Sequence, residues 1–170
     1  MEFKSQDFIK SQLKKLPRKP IVIFWFRRDL RLDDNAALYE ALKLHSDILP
    51  IFIFDSNILK SLEKRDARVL FIHKSLIQIK SQLQNLKSDL CVLYGDPLTV
   101  FKELNELMQI QAIYANNDYE PAACDRDQKV AQWALSQQIS FLTYKDQCIF
   151  EKKEVVTDQQ KNYTVFTPYK

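Results

Sequence analysis

Ile21-Val22-Ile23-Phe24-Trp25-Phe26-Arg27-Arg28-Asp29 decides the fold. Six β-branched and aromatic residues run unbroken and then give way to charge. The run is too short for a helix and has no polar face. It reads as a strand buried on both sides, as in parallel sheets. Similar runs follow at Ile48–Phe54, Leu90–Tyr94, Ala112–Ala115 and Ile139–Tyr144. Between them, apolar residues recur three and four apart, the spacing of one helix face. Residues 64–87 set Val69, Ile72, Leu76, Ile79, Leu83 and Leu86 on such a stripe. Pro97–Gln109 repeats Val100, Phe101, Leu104, Leu107 and Met108, with Asp96 as N-cap and Pro97 at the first helical position. Asn35–Leu44, which Asp33 or Asp34 can cap, and Ala122–Gln137 complete the set.

Strands alternating with helices predict an α/β fold: a Rossmann-like, doubly wound, five-stranded parallel sheet of order 3-2-1-4-5 with helices on both faces. Residues 1–19 read as an N-terminal appendage. Within it Ser5–Leu16 is either a marginal amphipathic helix, ended by Pro17 and Pro20, or a partly disordered lead-in. Residues 20–146 form the α/β domain. Residues 147–170, polar and then Thr164-Val165-Phe166-Thr167-Pro168-Tyr169-Lys170, read as a linker leaving it.

A chain of 170 residues, 46% hydrophobic and 28% charged, can bury a core of its own. The net charge of +3 and pI near 8.7 are mild; domains with a nucleic-acid footprint of their own usually lie above about pI 9. Cys91, Cys124 and Cys148 are odd in number and lack metal-ligand spacing, so they read as reduced, structural thiols. His45 and His73, both read as helix residues, make a histidine-rich metal site unexpected. No apolar run approaches the roughly 18 residues of a membrane span, and no signal-peptide core is present. A cytoplasmic protein is expected.

In a sheet of this order, a ligand crevice opens at the carboxyl ends of the strands where the winding reverses, between the first and fourth. The strands there release Arg27-Arg28-Asp29, Asp55, Gly95-Asp96, Asn116-Asn117-Asp118 and Lys145-Asp146. Asp96 reads as a helix cap. Arg28 and Asp118 read as ligand or interdomain contacts, because a guanidinium has no capping role at that position. Gly95 is the only glycine, which excludes the glycine-rich loops of dinucleotide and Walker sites. No nucleophile elbow, H-E-x-x-H or Cys–His pairing is present, so no catalytic residue is assigned and the segment is not expected to be an enzyme by itself.

Trp25-Phe26-Arg27-Arg28-Asp29-Leu30-Arg31-Leu32, with Asp34-Asn35, resembles the opening signature of photolyases and cryptochromes. Gly95-Asp96-Pro97, then Asn117-Asp118-Tyr119-Glu120-Pro121 with Asp125-Arg126-Asp127, then Val165-Phe166-Thr167-Pro168-Tyr169 are similar to three later blocks of that family, in order. The resemblance covers residues 20–170 and implies the N-terminal, light-harvesting domain of a deoxyribodipyrimidine photolyase. The parent would repair cyclobutane pyrimidine dimers in UV-damaged DNA, with FAD bound outside this segment in a C-terminal helical domain. The resemblance also implies an antenna chromophore, with Arg28, Asp55, Arg68, Asp118 and Glu120 at the matching cofactor-binding positions. Folate-binding members carry an Asn-Glu pair where this chain has Ala122 and Ala123. That favours 8-hydroxy-deazaflavin or FMN over methenyltetrahydrofolate. Trp25 and Trp133 read as packing residues. A cryptochrome-type blue-light receptor and a stand-alone nucleotide-binding α/β protein remain as alternatives.

Overall fold

A computed structural model describes residues 19–151 without a break, together with Asp7, Ser11, residues 154–157, Gln159 and Lys161. The expected helix at Ser5–Leu16, apart from Asp7 and Ser11, and the Val165–Tyr169 block lie outside the described residues.

Strand β1, Ile21–Phe26, has the expected bounds and is almost wholly buried. It lies at the centre of a parallel sheet with β2 (Ile48–Asp55), β3 (Cys91–Gly95), β4 (Ile110–Asn116) and β5 (Ser140–Tyr144) in the order β3-β2-β1-β4-β5. Trp25 pairs with Ile51 of β2, and Phe24 lies between Pro50 of β2 and Tyr114 of β4. Alternation along the strands sends side chains into two cores. Ile23 and Trp25 join Ile51, Ile53 and Ile113 beneath helices α4 (Pro97–Leu107) and α5 (Pro121–Ser136). Val22, Phe24 and Phe26 join Phe52, Val92 and Tyr114 beneath α1 (Ala36–Leu44) and α3 (Ala67–Asn85). A run that feeds both cores can hold no polar residue, which explains its composition.

Four features differ from the sequence reading. A short helix α2, Ser56–Leu59, follows β2; four residues carry no detectable period. Asn35 caps α1, accepting from the Leu38 amide. Asp34 is instead a turn residue with φ of 52°, and short polar side chains tolerate that left-handed backbone. Leu86 lies past the end of α3 and is exposed, so the buried stripe is carried by Leu76, Ile79 and Leu83. Strand β5 is an edge strand with one open face, and its Leu142 is exposed.

Gly95 ends β3 at a φ of +147°, and a Cβ there would stand 3.1 Å from Val100 Cγ2. A side chain would meet both backbone strain and α4 at that corner. No described helix is long and apolar enough to cross a membrane.

Candidate functional site

The charged ends of the strands divide between two destinations. One set is consumed inside the fold. Asp29, Asn35 and Asn116 are buried together at the end of β1. The Asn116 amide donates to Asp29 Oδ2 at 2.6 Å and to Asn35 Oδ1 at 2.8 Å, and its own oxygen accepts from the Ala37 amide at 2.8 Å. Asn35 donates to the same Asp29 oxygen, and the Arg27 amide donates to the other. Asp146, from beyond β5, accepts from the Ala36 amide and from the Arg31 guanidinium. The first turn of α1 is therefore closed by protein groups, and its N–H donors are not open to a ligand. Arg31, Asp29 and Asn35 of the opening signature hold the chain in place.

The second set lines a cleft of about 810 Å³ across the carboxyl ends of β3, β2, β1 and β4, where an open α/β sheet takes its ligands. Arg28, Asp55, Arg68, Asp118 and Glu120 all line it. Arg28, Asp118 and Glu120 form one cluster. The Arg28 guanidinium meets Glu120 at 2.5 Å and stands 3.8 Å from Asp118 Oδ2. The hydrogen bond to Glu120 raises the already high Arg28 pKa against partial burial. Arg28 and Glu120 remain more than half exposed, whereas the Asp118 side chain is 5% exposed. Asp118 accepts from the Tyr119 amide and also faces Arg126 at 3.7 Å.

Asp55 and Arg68 stand apart from that cluster, each bonded locally. Asp55 caps α2, accepting from the Asn57 amide. Arg68, in the first turn of α3, donates to Asp66, which raises the Arg68 pKa and lowers that of Asp66. Asp96 is the cap of α4, as read from sequence, accepting from Thr99 and Asn57. At α5 the N-cap Glu120 makes no side-chain capping bond, because its carboxylate has gone to Arg28.

The floor of the cleft is apolar, with Phe26, Phe52, Phe54 and Ile72 among its residues. Arg27, which the sequence also places at this edge, lines it too, as do Trp25, Arg126 and Lys129, which it does not. Arg126 was legible as part of the Asp125-Arg126-Asp127 block, but nothing in the block says which way it turns. Arg27 donates to Asp127, while its Nη2 is buried and has no hydrogen-bond partner among the described residues. Among the described residues no group of three or more His, Cys, Asp or Glu is placed to hold a metal.

The volume falls within the roughly 300–1,000 Å³ of small-ligand sites. Apolar walls, a few convergent charges and an unused buried donor fit a flat aromatic ligand with polar edges. Guanidiniums can donate to ring carbonyl oxygens, and carboxylates can accept from hydroxyls or ring N–H groups.

A family model described as DNA photolyase matches residues 22–170. A deoxyribodipyrimidine photo-lyase from Synechococcus sp. (strain ATCC 27144 / PCC 6301 / SAUG 1402/1) is 32% identical over 148 residues, covering 87% of this chain and 31% of that protein. An archaeal photolyase from Sulfolobus tokodaii, described with two FAD molecules and the implication of a novel light-harvesting cofactor, superposes with a TM-score of 0.69. It is 31% identical, over 78% of this chain and 32% of its own. A bacterial class III photolyase from Agrobacterium tumefaciens gives a TM-score of 0.77 at 25% identity, over 91% of this chain and 31% of its own. The chain spans about a third of the length of these proteins.

Proposed function

We propose that this chain, which belongs to the DNA photolyase family, is the antenna domain of a deoxyribodipyrimidine photolyase. It would hold a flavin-type chromophore in the cleft at the sheet's carboxyl edge. The observation that carries the reading is the cleft itself, with an apolar floor and Arg28, Asp118 and Glu120 gathered at one wall. When bound, the chromophore absorbs light and passes the excitation to FAD, which the parent holds in a helical domain beyond residue 170. The parent would use it to split pyrimidine dimers in UV-damaged DNA. Residues 147–170 are the linker to that domain in this reading, and residues 1–19 an appendage.

The chain's own part is to bind, orient and keep dry. Asp118, buried and facing two guanidiniums, holds Arg28 and Arg126 at the cleft wall. Arg28 then offers donors to a ring carbonyl oxygen from a fixed direction. Phe26, Phe52 and Phe54, which line the cleft, would keep water away from a bound ring. Asp55 and Arg68 also line the cleft and would meet a ligand only through the oxygens and nitrogens left over from their local bonds.

Ala122 and Ala123 line the cleft at the start of α5 and offer no side-chain acceptor to a pterin. This favours 8-hydroxy-deazaflavin or FMN over methenyltetrahydrofolate. The test is extraction and chromatographic identification of the chromophore from the full gene product. Arg28→Ala with Asp118→Ala should abolish retention of the antenna chromophore and leave FAD content and melting temperature near wild type. Unchanged retention, or recovery of a folate, overturns the assignment. Light-dependent splitting of thymine dimers by the same preparation is expected; its absence, with FAD photoreduction intact, would favour a blue-light receptor of the cryptochrome type.

A further inference from the structure

We propose that Arg27 and Arg126 protect the excited state of a chromophore held in the cleft by making Trp25 hard to oxidise. The inference rests on the reading of the cleft as a chromophore site. Trp25 lines that cleft and is buried. The guanidinium carbons of Arg27 and Arg126 stand 5.0 Å and 4.9 Å from its ring centroid.

An indole beside a photoexcited flavin-type ring is a hazard to an antenna. One electron passes from the indole to the excited ring and then returns, leaving both partners unchanged and the excitation lost as heat. The outward step places a positive charge on the indole. Two guanidiniums close to the ring oppose that charge, and they do so in a buried setting where screening is weak. They favour the neutral, electron-rich ring and disfavour its oxidised form.

Among the described residues the compensation of these cations is incomplete. A single carboxylate, Asp127, bonds both, at 2.5 Å to Arg27 Nη1 and 2.8 Å to Arg126 Nη2. Asp118 adds only a 3.7 Å contact to Arg126, and it also faces Arg28. Arg27 Nη2 has no acceptor among the described residues. An indole that served packing alone, already edge-on to Phe101 at 5.0 Å, would need no pair of cations over it.

The experiment measures the fluorescence lifetime of bound FMN, used as the probe, in the 170-residue chain; FMN uptake is also measured in the full gene product. Arg126→Gln should shorten the bound lifetime roughly twofold or more. Arg126→Lys, which keeps the charge, should hold it near wild type. Trp25→Phe combined with Arg126→Gln should restore it, since the electron donor is gone. A wild-type lifetime in Arg126→Gln, or a shortening that persists without Trp25, overturns this inference while the chromophore site stands. Failure of both the chain and the full gene product to take up FMN, with no 8-hydroxy-deazaflavin extracted from the full gene product, overturns the chromophore site and this inference with it.

Discussion

Replacing Asn116 by Ala should destabilise the fold far more than its single polar side chain suggests. The residue is 1% exposed and joins three structural elements. The substitution removes two donated bonds, to Asp29 and Asn35, and one accepted bond, from the Ala37 amide. Asn35 Oδ1 keeps the Leu38 amide, and Asp29 Oδ2 keeps the Asn35 amide. The Ala37 N–H, on a residue of zero exposure, keeps nothing. An orphaned buried donor costs about 1–3 kcal/mol and a lost bond to a carboxylate about 1.5–3. Together they come to about 3–5 kcal/mol, a large share of a typical stability of about 5–15 kcal/mol. For a chain of this size each kcal/mol moves the melting temperature by about 2–4 °C, so a drop of roughly 10 °C is expected in thermal unfolding. Asn57→Ala, which removes one exposed bond to Asp96, is the comparison and should cost about 0.5 kcal/mol. Asn116→Asp should be worse than Asn116→Ala at neutral pH, because it sets two carboxylates against each other. An Asn116→Ala loss below about 1 kcal/mol would refute the view that this amide closes the α1 terminus.

The three cysteines should separate by reactivity. Cys124 and Cys148 are exposed, whereas burial pushes the Cys91 thiol up to about 12; thiol reagents at pH 8 should modify the first two in native protein and Cys91 only after denaturation. Modification of Cys91 at the same rate as the others would contradict its place in β3. The Asp96 cap should show in the acid limb of stability. Partial burial pushes its carboxyl up, but the bonds from Thr99 and Asn57 outweigh this and hold it below the ordinary value. Its contribution is therefore complete above the ordinary carboxylate range and fades as pH falls through the lowered value. Asp96→Ala should cost about 1 kcal/mol at pH 7, and urea unfolding should find wild type and variant converging only in strong acid.

The fold was readable because its central strand serves two cores. A strand with one wet face must alternate, and β5, at the edge, shows how weak the signal becomes: Phe141 and Tyr144 are half-buried while Leu142 stands open. The end of β1 at Phe26 was sharp because the next residue, Arg27, carries charge. Caps were harder. Asp96 stands alone before a proline, but Asp33, Asp34 and Asn35 are three candidates in a row, and only backbone conformation chooses among them. Helix α2 left no trace, since a single turn buries only Ser56.

The cleft was legible to the extent that residue type alone dictates direction. Arg28 follows a buried strand, cannot cap a helix, and so must face outward; it does, and Asp118 and Glu120 meet it there. Asp29, one residue on, has the same prior and the opposite fate, because an Asn at the end of β4 and another at the start of α1 are folded onto it. That choice depends on residues 87 and 6 positions away, which no local pattern encodes. Trp25 shows the same limit from the apolar side. Its place in the strand announces burial, and it is buried. The two guanidiniums over its ring come from the residue just past its own strand and from a helix about a hundred residues later. Only the crossover connection that brings α5 over β1 turns a packing residue at a strand's end into an indole held between a cleft and a pair of cations.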